Sequence, residues 1–146
     1  MCVKTGIIRI VIVAFVLIGL SSCARTSNLN INYSKRIFSI SISDNWIPSE
    51  GGGWDSTSIE VTGEDNIKDC LNLINSIKIY STKATEAIER SPAVSILMWD
   101  KKDNTIKTIT IYDGDKLEYG WCWYEIDKSE LNKIHAFCKK YGENQQ

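Results

Sequence analysis

His135 is the chain's only histidine, and that scarcity removes several chemistries at once. A cysteine nucleophile activated by a neighbouring imidazole has a single residue to draw on. A zinc site of the usual kind wants close ligand pairs such as C-x-x-C or H-x-x-x-H, and neither occurs. There is no G-x-S-x-G elbow, and the three glycines at 51–53 follow Pro48 and lead into Trp54 rather than into a helix, so they form no phosphate loop. After residue 20 no apolar run approaches the ~18 residues of a spanning helix. There is also no basic stripe of the kind that neutralises phosphates, which argues against a nucleic-acid partner. Acidic pairs such as Asp113 and Asp115 flank a turn, where solvated charge is the ordinary explanation. Internal repeats and low-complexity segments are missing too. The reading is a protein that is not an enzyme and needs no metal or cofactor, with a role for His135 kept only as a remainder.

What is present begins at the N-terminus. The stretch "MCVKTGIIR" carries Lys4 and Arg9 without an acid, and residues 10–20, "IVIVAFVLIGL", are apolar throughout. As a helix, these eleven residues span roughly 17 Å, well short of a ~30 Å hydrocarbon core. A basic segment followed by a short apolar one reads as a signal peptide rather than an anchor. Leu20, Ser21, Ser22 and Cys23 follow: an aliphatic residue, two small ones and a cysteine. This resembles the lipobox of bacterial lipoproteins. The resemblance implies a diacylglyceryl group on the Cys23 sulfur, cleavage just before it, and a mature chain held on the membrane by two or three acyl chains, since one chain alone binds only reversibly. A secretory signal with a coincidental cysteine is the alternative. Ala24 rather than Asp follows, which in a Gram-negative envelope implies the outer membrane, facing the periplasm. Cleavage leaves fifteen basic against eighteen acidic residues, a net charge near −3.

Beyond Cys23 the expected layout is a polar lipidated tether over 23–35, one α+β domain over 36–142, and a tail over 143–146. With 43% hydrophobic and 24% charged residues the composition is ordinary for a globular protein. Phe38, Ile40 and Ile42 alternate with Ser39, Ser41 and Ser43, the period of a strand with one wet face. A second strand is expected at 57–62. A helix at 64–76 carries Ile67, Cys70, Leu71 and Ile74 on one face and opens at Thr62 and Asp65. Strand character resumes at Ile77 and Ile79 and in "AVSILMW" at 93–99. A hairpin follows, with strands 105–112 and 115–126 joined at Asp113–Gly114. Asp127 and Glu130 open a last helix with Leu131, Ile134, Cys138 and Tyr141 inward and Gly142 to stop it. The expected fold is an antiparallel sheet of five to six strands with two helices on one face, after a cleaved N-terminal signal helix. The segments "EDNIKDCLNLINSIKI" and "WYEID", with the hairpin between them, are similar to small bacterial lipoproteins of no assigned activity. The likeness implies fold alone.

Three cysteines remain in the mature domain, and Cys70 and Cys138 share the inner faces of the two helices, where they either pair as a disulfide or pack as small hydrophobes. Aromatic residues carry more. Taken as one strand, 115–126 puts Tyr119, Trp121 and Trp123 on one face, and the glycine loop presents Trp54. With helices on only one side, such a row is either an exposed interaction surface or a core filler. The expected activity is protein binding in the cell envelope, concretely an immunity-type inhibitor of an envelope-directed toxin that acts by occlusion through Trp54, Trp121 and Trp123. Rivals are a structural subunit of an envelope assembly or secretion machine, and a glycan-binding lipoprotein.

Overall fold

The computed structural model describes residues 26–48, 54–80 and 92–143. The signal peptide expected over 1–22, Cys23, the glycines at 51–53 and residues 144–146 lie outside the described residues. Alternating strands and two helices follow in the order β1 (Thr26–Asn28), β2 (Ser39–Pro48), β3 (Trp54–Thr62), α1 (Glu64–Asn75), β4 (Lys78–Tyr80), β5 (Pro92–Trp99), β6 (Thr105–Tyr112), β7 (Lys116–Tyr119), β8 (Cys122–Ile126) and α2 (Lys128–Glu143). The strands form one antiparallel sheet in the order β1-β4-β8-β7-β6-β5-β2-β3.

Period-two patterning assigns the two faces. Ile40, Ile42 and Asp44 of β2 are buried, and so are their cross-strand neighbours Ile59, Val61, Ile96 and Met98. Farther across the sheet the same face carries Ile109, Ile111, Leu117 and Ile126. The buried stripes of α1 (Ile67, Cys70, Leu71, Ile74) and α2 (Leu131, Ile134, Cys138) join them in a single core. Both helices therefore cover this face. Lys133 Nζ reaches Ser76 O at one end of the helix pair (3.2 Å) and Asn66 Nδ2 reaches the Tyr141 hydroxyl at the other (3.5 Å), so the helices run antiparallel. Truncating one of these isoleucines to alanine is expected to cost about 2–5 kcal/mol.

The sheet has eight strands where five to six were expected, for two local reasons. Residues 115–126 are not one strand. The chain reverses at Gly120 and Trp121, both left-handed with φ of 60° and 64°, and Tyr119 pairs with Cys122 across a two-residue turn. That geometry demands positive φ at both turn positions, which Asn, Asp and Gly normally supply. A tryptophan there hides the turn from a sequence reading.

The second reason is β1, which lies in the segment expected to be tether. Thr26, Ser27 and Asn28 pair with Tyr80, Ile79 and Lys78 at the sheet edge. Beyond it Leu29 and Ile31 are buried in the main core. The Asn75 side chain clamps Ile31 at both backbone groups, Nδ2 donating to its carbonyl (2.8 Å) and Oδ1 accepting from its N–H (2.7 Å). Tyr33 then packs against the core, with the Lys68 ammonium 5.3 Å from its ring centroid. Residues 26–35 are thus a strap across α1 and part of the domain, whose boundary moves from 36 back to 26.

Helix starts also differ from expectation. At α1 the N-cap is Gly63, with φ 85° and no side-chain cap; the Thr62–Asp65 box does not form. At α2 Asp127 does precede the first turn, but its carboxylate accepts from the Tyr80 hydroxyl (2.7 Å), and Glu130 pairs with Lys133. Gly142 lies inside the last turn of α2 rather than beyond it.

Candidate binding surface

Among the described residues, no helix packs on the second face of the sheet. Its side chains fall into rows read from the register. Ser58, Ser43, Ser95 and Thr110 line up across β3, β2, β5 and β6, and the row continues into Glu118 of β7 and Trp123 of β8. Serine and threonine are the residues a wet face tolerates, and they make half of this face flat and polar. Toward β8 it becomes aromatic. Tyr112 and Trp123 lie with ring centroids 5.3 Å apart and tilted by 42°, a spacing at which such pairs add about 0.5–1.5 kcal/mol beyond burial.

Hydrogen bonds hold this half in place. The Tyr112 hydroxyl donates to Glu118 Oε2 (3.3 Å), and Lys116 Nζ donates to Glu125 Oε1 (2.8 Å). Desolvation by neighbouring side chains, with Glu118 alongside, pushes the Tyr112 phenol above its ordinary value. Nearer the other edge, Trp99 Nε1 donates to Ser41 Oγ (3.1 Å), which keeps the indole flat against the sheet. A groove of about 520 Å³ runs from Thr108, Thr110 and Glu118 to Gly120 and Trp121. The face offers half-buried aromatic rings with fixed orientations, framed by hydroxyls and two acids. Such an arrangement is suited to contact by stacking and shape.

The residues expected to form one surface are spread over three places. Trp123 is on the open face, paired with Glu118. Tyr119 is on the opposite face, opposite Ile109, packed against the core with its hydroxyl accepting from Lys107 Nζ (2.6 Å). The turn at Gly120 and Trp121 shifts Tyr119 and Trp123 onto different strands, which is why alternation across them fails. Trp121 is at the tip of that turn and 95% exposed. Trp54 begins β3 opposite Pro48, at the far end of the sheet from the β7–β8 turn. Its side chain lies outside the described residues. One surface cannot use Trp54 and Trp121 together. In their place the structure brings Trp99, Tyr112 and Tyr80 to the open face. The parity of Leu97 with Trp99, and of Thr110 with Tyr112, carries that signal in the sequence.

Cys70 and Cys138 are buried free thiols. Burial pushes both up to about 12, the Cys138 sulfur adding to the effect at Cys70, and Asp44 to that at Cys138. They are protonated, unreactive groups at neutral pH, whereas Cys122 is an exposed thiol beside the β7–β8 turn. His135 contacts Asp44, whose side chain is fully buried, through Nδ1. That pair ties α2 to β2. Among the described residues no three His, Cys, Asp or Glu side chains gather as a metal-holding group, and no helix is long and apolar enough to cross a membrane. Compared with protein families, curated proteins and solved structures, the chain matches none.

Proposed function

We propose that the chain is an exported lipoprotein, acylated at Cys23, whose open sheet face binds another protein of the cell envelope. The observation that carries the reading is the aromatic half of that face, where Tyr112, held by Glu118, and Trp123 lie with ring centroids 5.3 Å apart and, among the described residues, no helix packs over them. Oriented aromatic side chains of this kind are the usual energetic centre of a protein interface. In its concrete form the protein is an immunity-type inhibitor that occludes an envelope-directed toxin. A structural subunit of an envelope assembly or secretion machine is the alternative.

Crosslinking the full-length lipoprotein in its native membrane, followed by capture and mass spectrometry, tests this, with Cys23→Ser as the control. One secreted effector recovered by wild type, and lost from a Trp123→Ala, Tyr112→Ala variant, supports the inhibitor. A multiprotein envelope complex makes the chain an accessory subunit, and unchanged capture by the variant removes the open face from the contact. A second reading, glycan binding, has its own observation: the Tyr112–Trp123 pair abuts a row of hydroxyls, the combination that stacks on and hydrogen-bonds a sugar. Retention on purified peptidoglycan is its measurement.

A further inference from the structure

The large hydrophobic side chains most exposed in the described structure are Trp121 (95%) and Phe38 (51%). Both lie at one end of the sheet. Phe38 stands just before β2, its N–H donating to Trp99 O (2.7 Å), and Trp99 pairs with Thr105 at the start of β6. Tyr119, which leads into the Trp121 turn, pairs with Ile109, while Lys116 pairs with Tyr112 at the other end of β6. The turn therefore points the same way as Phe38.

Trp121 bears two costs at once. Its φ of 64° is a conformation that carries a penalty of about 1–2 kcal/mol for a residue with a Cβ, and its indole is left in water. A strained backbone that displays an apolar side chain is where a functional contact is sought.

The chain outside the structure says what that contact is. β1 and β8 are both antiparallel to β4 and so run in the same direction. Thr26 pairs with Tyr80, and Tyr80 with Glu125; the Trp121 turn is three residues back along β8, at Cys122. The backbone thus enters β1 from the Trp121 end of the sheet. Cys23 precedes Thr26 by three residues, a reach of at most about 10 Å. Because the strap over 26–35 is part of the domain, no long tether separates the lipid from this end.

We propose that the Trp121 end of the sheet rests on the lipid surface that holds Cys23, with the Trp121 indole seated among the headgroups. This rests on the acylation of Cys23 proposed above. Tryptophan is the side chain most suited to that depth, apolar in body with one N–H for the wet side. The β5–β6 turn at the same end is charge-balanced, with Lys101 and Lys102 lying between Asp100 and Asp103. The seating proposed is carried by the indole, with no anionic lipid required. The open face, which runs along the strands rather than across their ends, then stands upright on the membrane and stays accessible to a partner.

The test uses the full-length acylated chain, extracted in detergent and returned to phosphatidylcholine vesicles with lipid brominated in the upper acyl chain. Bromine quenches indole fluorescence on contact, and the difference between wild type and Trp121→Phe isolates this tryptophan from the other four. The expected result is a loss of Trp121 emission, the same with and without anionic lipid, in protein whose mass shows the lipid on Cys23. If the lipid is present and Trp121 is unquenched, the orientation is wrong and the anchor stands. If Cys23 carries no lipid, the anchor reading falls and this proposal with it.

Discussion

Replacing Asn75 by alanine tests whether the N-terminal strap belongs to the fold. Asn75 closes α1, where Ser76 N–H reaches Asn72 O (3.0 Å) and Ser76 Oγ reaches Leu73 O (2.7 Å), so the turn beneath it survives substitution. What is lost is the pair of bonds to Ile31. At about 0.5–1.5 kcal/mol net for each, Asn75→Ala is expected to cost about 1–3 kcal/mol. Asn75→Asp keeps an oxygen for the Ile31 N–H and loses only the donor, so it falls between the two. Urea unfolding reads the global loss, and amide hydrogen exchange at Ile31 reads the local one. The local reading matters because strap release lengthens the chain between Cys23, the proposed lipid site, and the domain from three residues, counted to Thr26, to fifteen, counted to Phe38. Its reach grows from about 10 Å to about 50 Å. An unchanged urea midpoint together with unchanged exchange at Ile31 would refute the reasoning that the Asn75 side chain holds the strap.

Trp121→Gly relieves the left-handed position and is expected to stabilise the domain by up to about 1 kcal/mol in urea; a loss of stability would mean the indole packs on something. His135→Ala removes the imidazole from a fully buried carboxylate and is expected to cost about 1.5–3 kcal/mol, the range for a hydrogen bond to a charged group. Adding Asp44→Ala should recover part of that loss, and a double mutant as unstable as the sum of the singles would count against a coupled pair. The buried thiols set an alkaline limit. Burial holds Cys70 and Cys138 up to about 12 in the folded state, above the ordinary 9.0. Their contribution is therefore complete below pH 9 and is lost as pH rises toward about 12, with a slope of at most about 1.4 kcal/mol per pH unit for each. Cys70→Ala should flatten that slope, and identical alkaline unfolding curves for variant and wild type would dismiss it. In native protein at neutral pH, a thiol reagent should label Cys122 and spare the other two.

Much of the fold was legible because burial writes periodicity into sequence. The alternation of Ile40 and Ile42 with serines, the stripe Ile67, Cys70, Leu71 and Ile74, and the turn at Asp113–Gly114 each appear where expected. The strap escapes a sequence reading: the segment looks polar and without a period, although Leu29, Ile31 and Tyr33 alternate with three asparagines. Its polar residues pointed to a tether because asparagine favours turns, whereas here one side chain on another element, Asn75, supplies the bonds that hold the segment extended. That is a tertiary contact, and no local pattern reports it. The candidate surface was legible only in part. Trp123 is on the open face, but the reversal at Gly120 and Trp121 has no asparagine or aspartate to announce it, so face assignments on its two sides came out coupled when they are independent.

That same reversal separates the two roles the aromatic residues were expected to share. If Trp121 and Trp123 lay on one strand face, a single partner would cover both, and the membrane and the partner would compete for the surface. The turn places Trp123 beside Tyr112 on the open face and Trp121 beyond the end of the strands. Trp123 and Trp121 are then separate positions that can be substituted one at a time, although the groove that begins at Thr110 and Glu118 ends at Trp121. A strained tryptophan at a tip costs stability that a glycine would restore, the kind of cost that goes with a used surface. Trp121 emission quenched in the wild type, together with partner capture unchanged in Trp121→Gly, is the outcome this separation requires. If capture fell in that variant, a single continuous surface would be the better account.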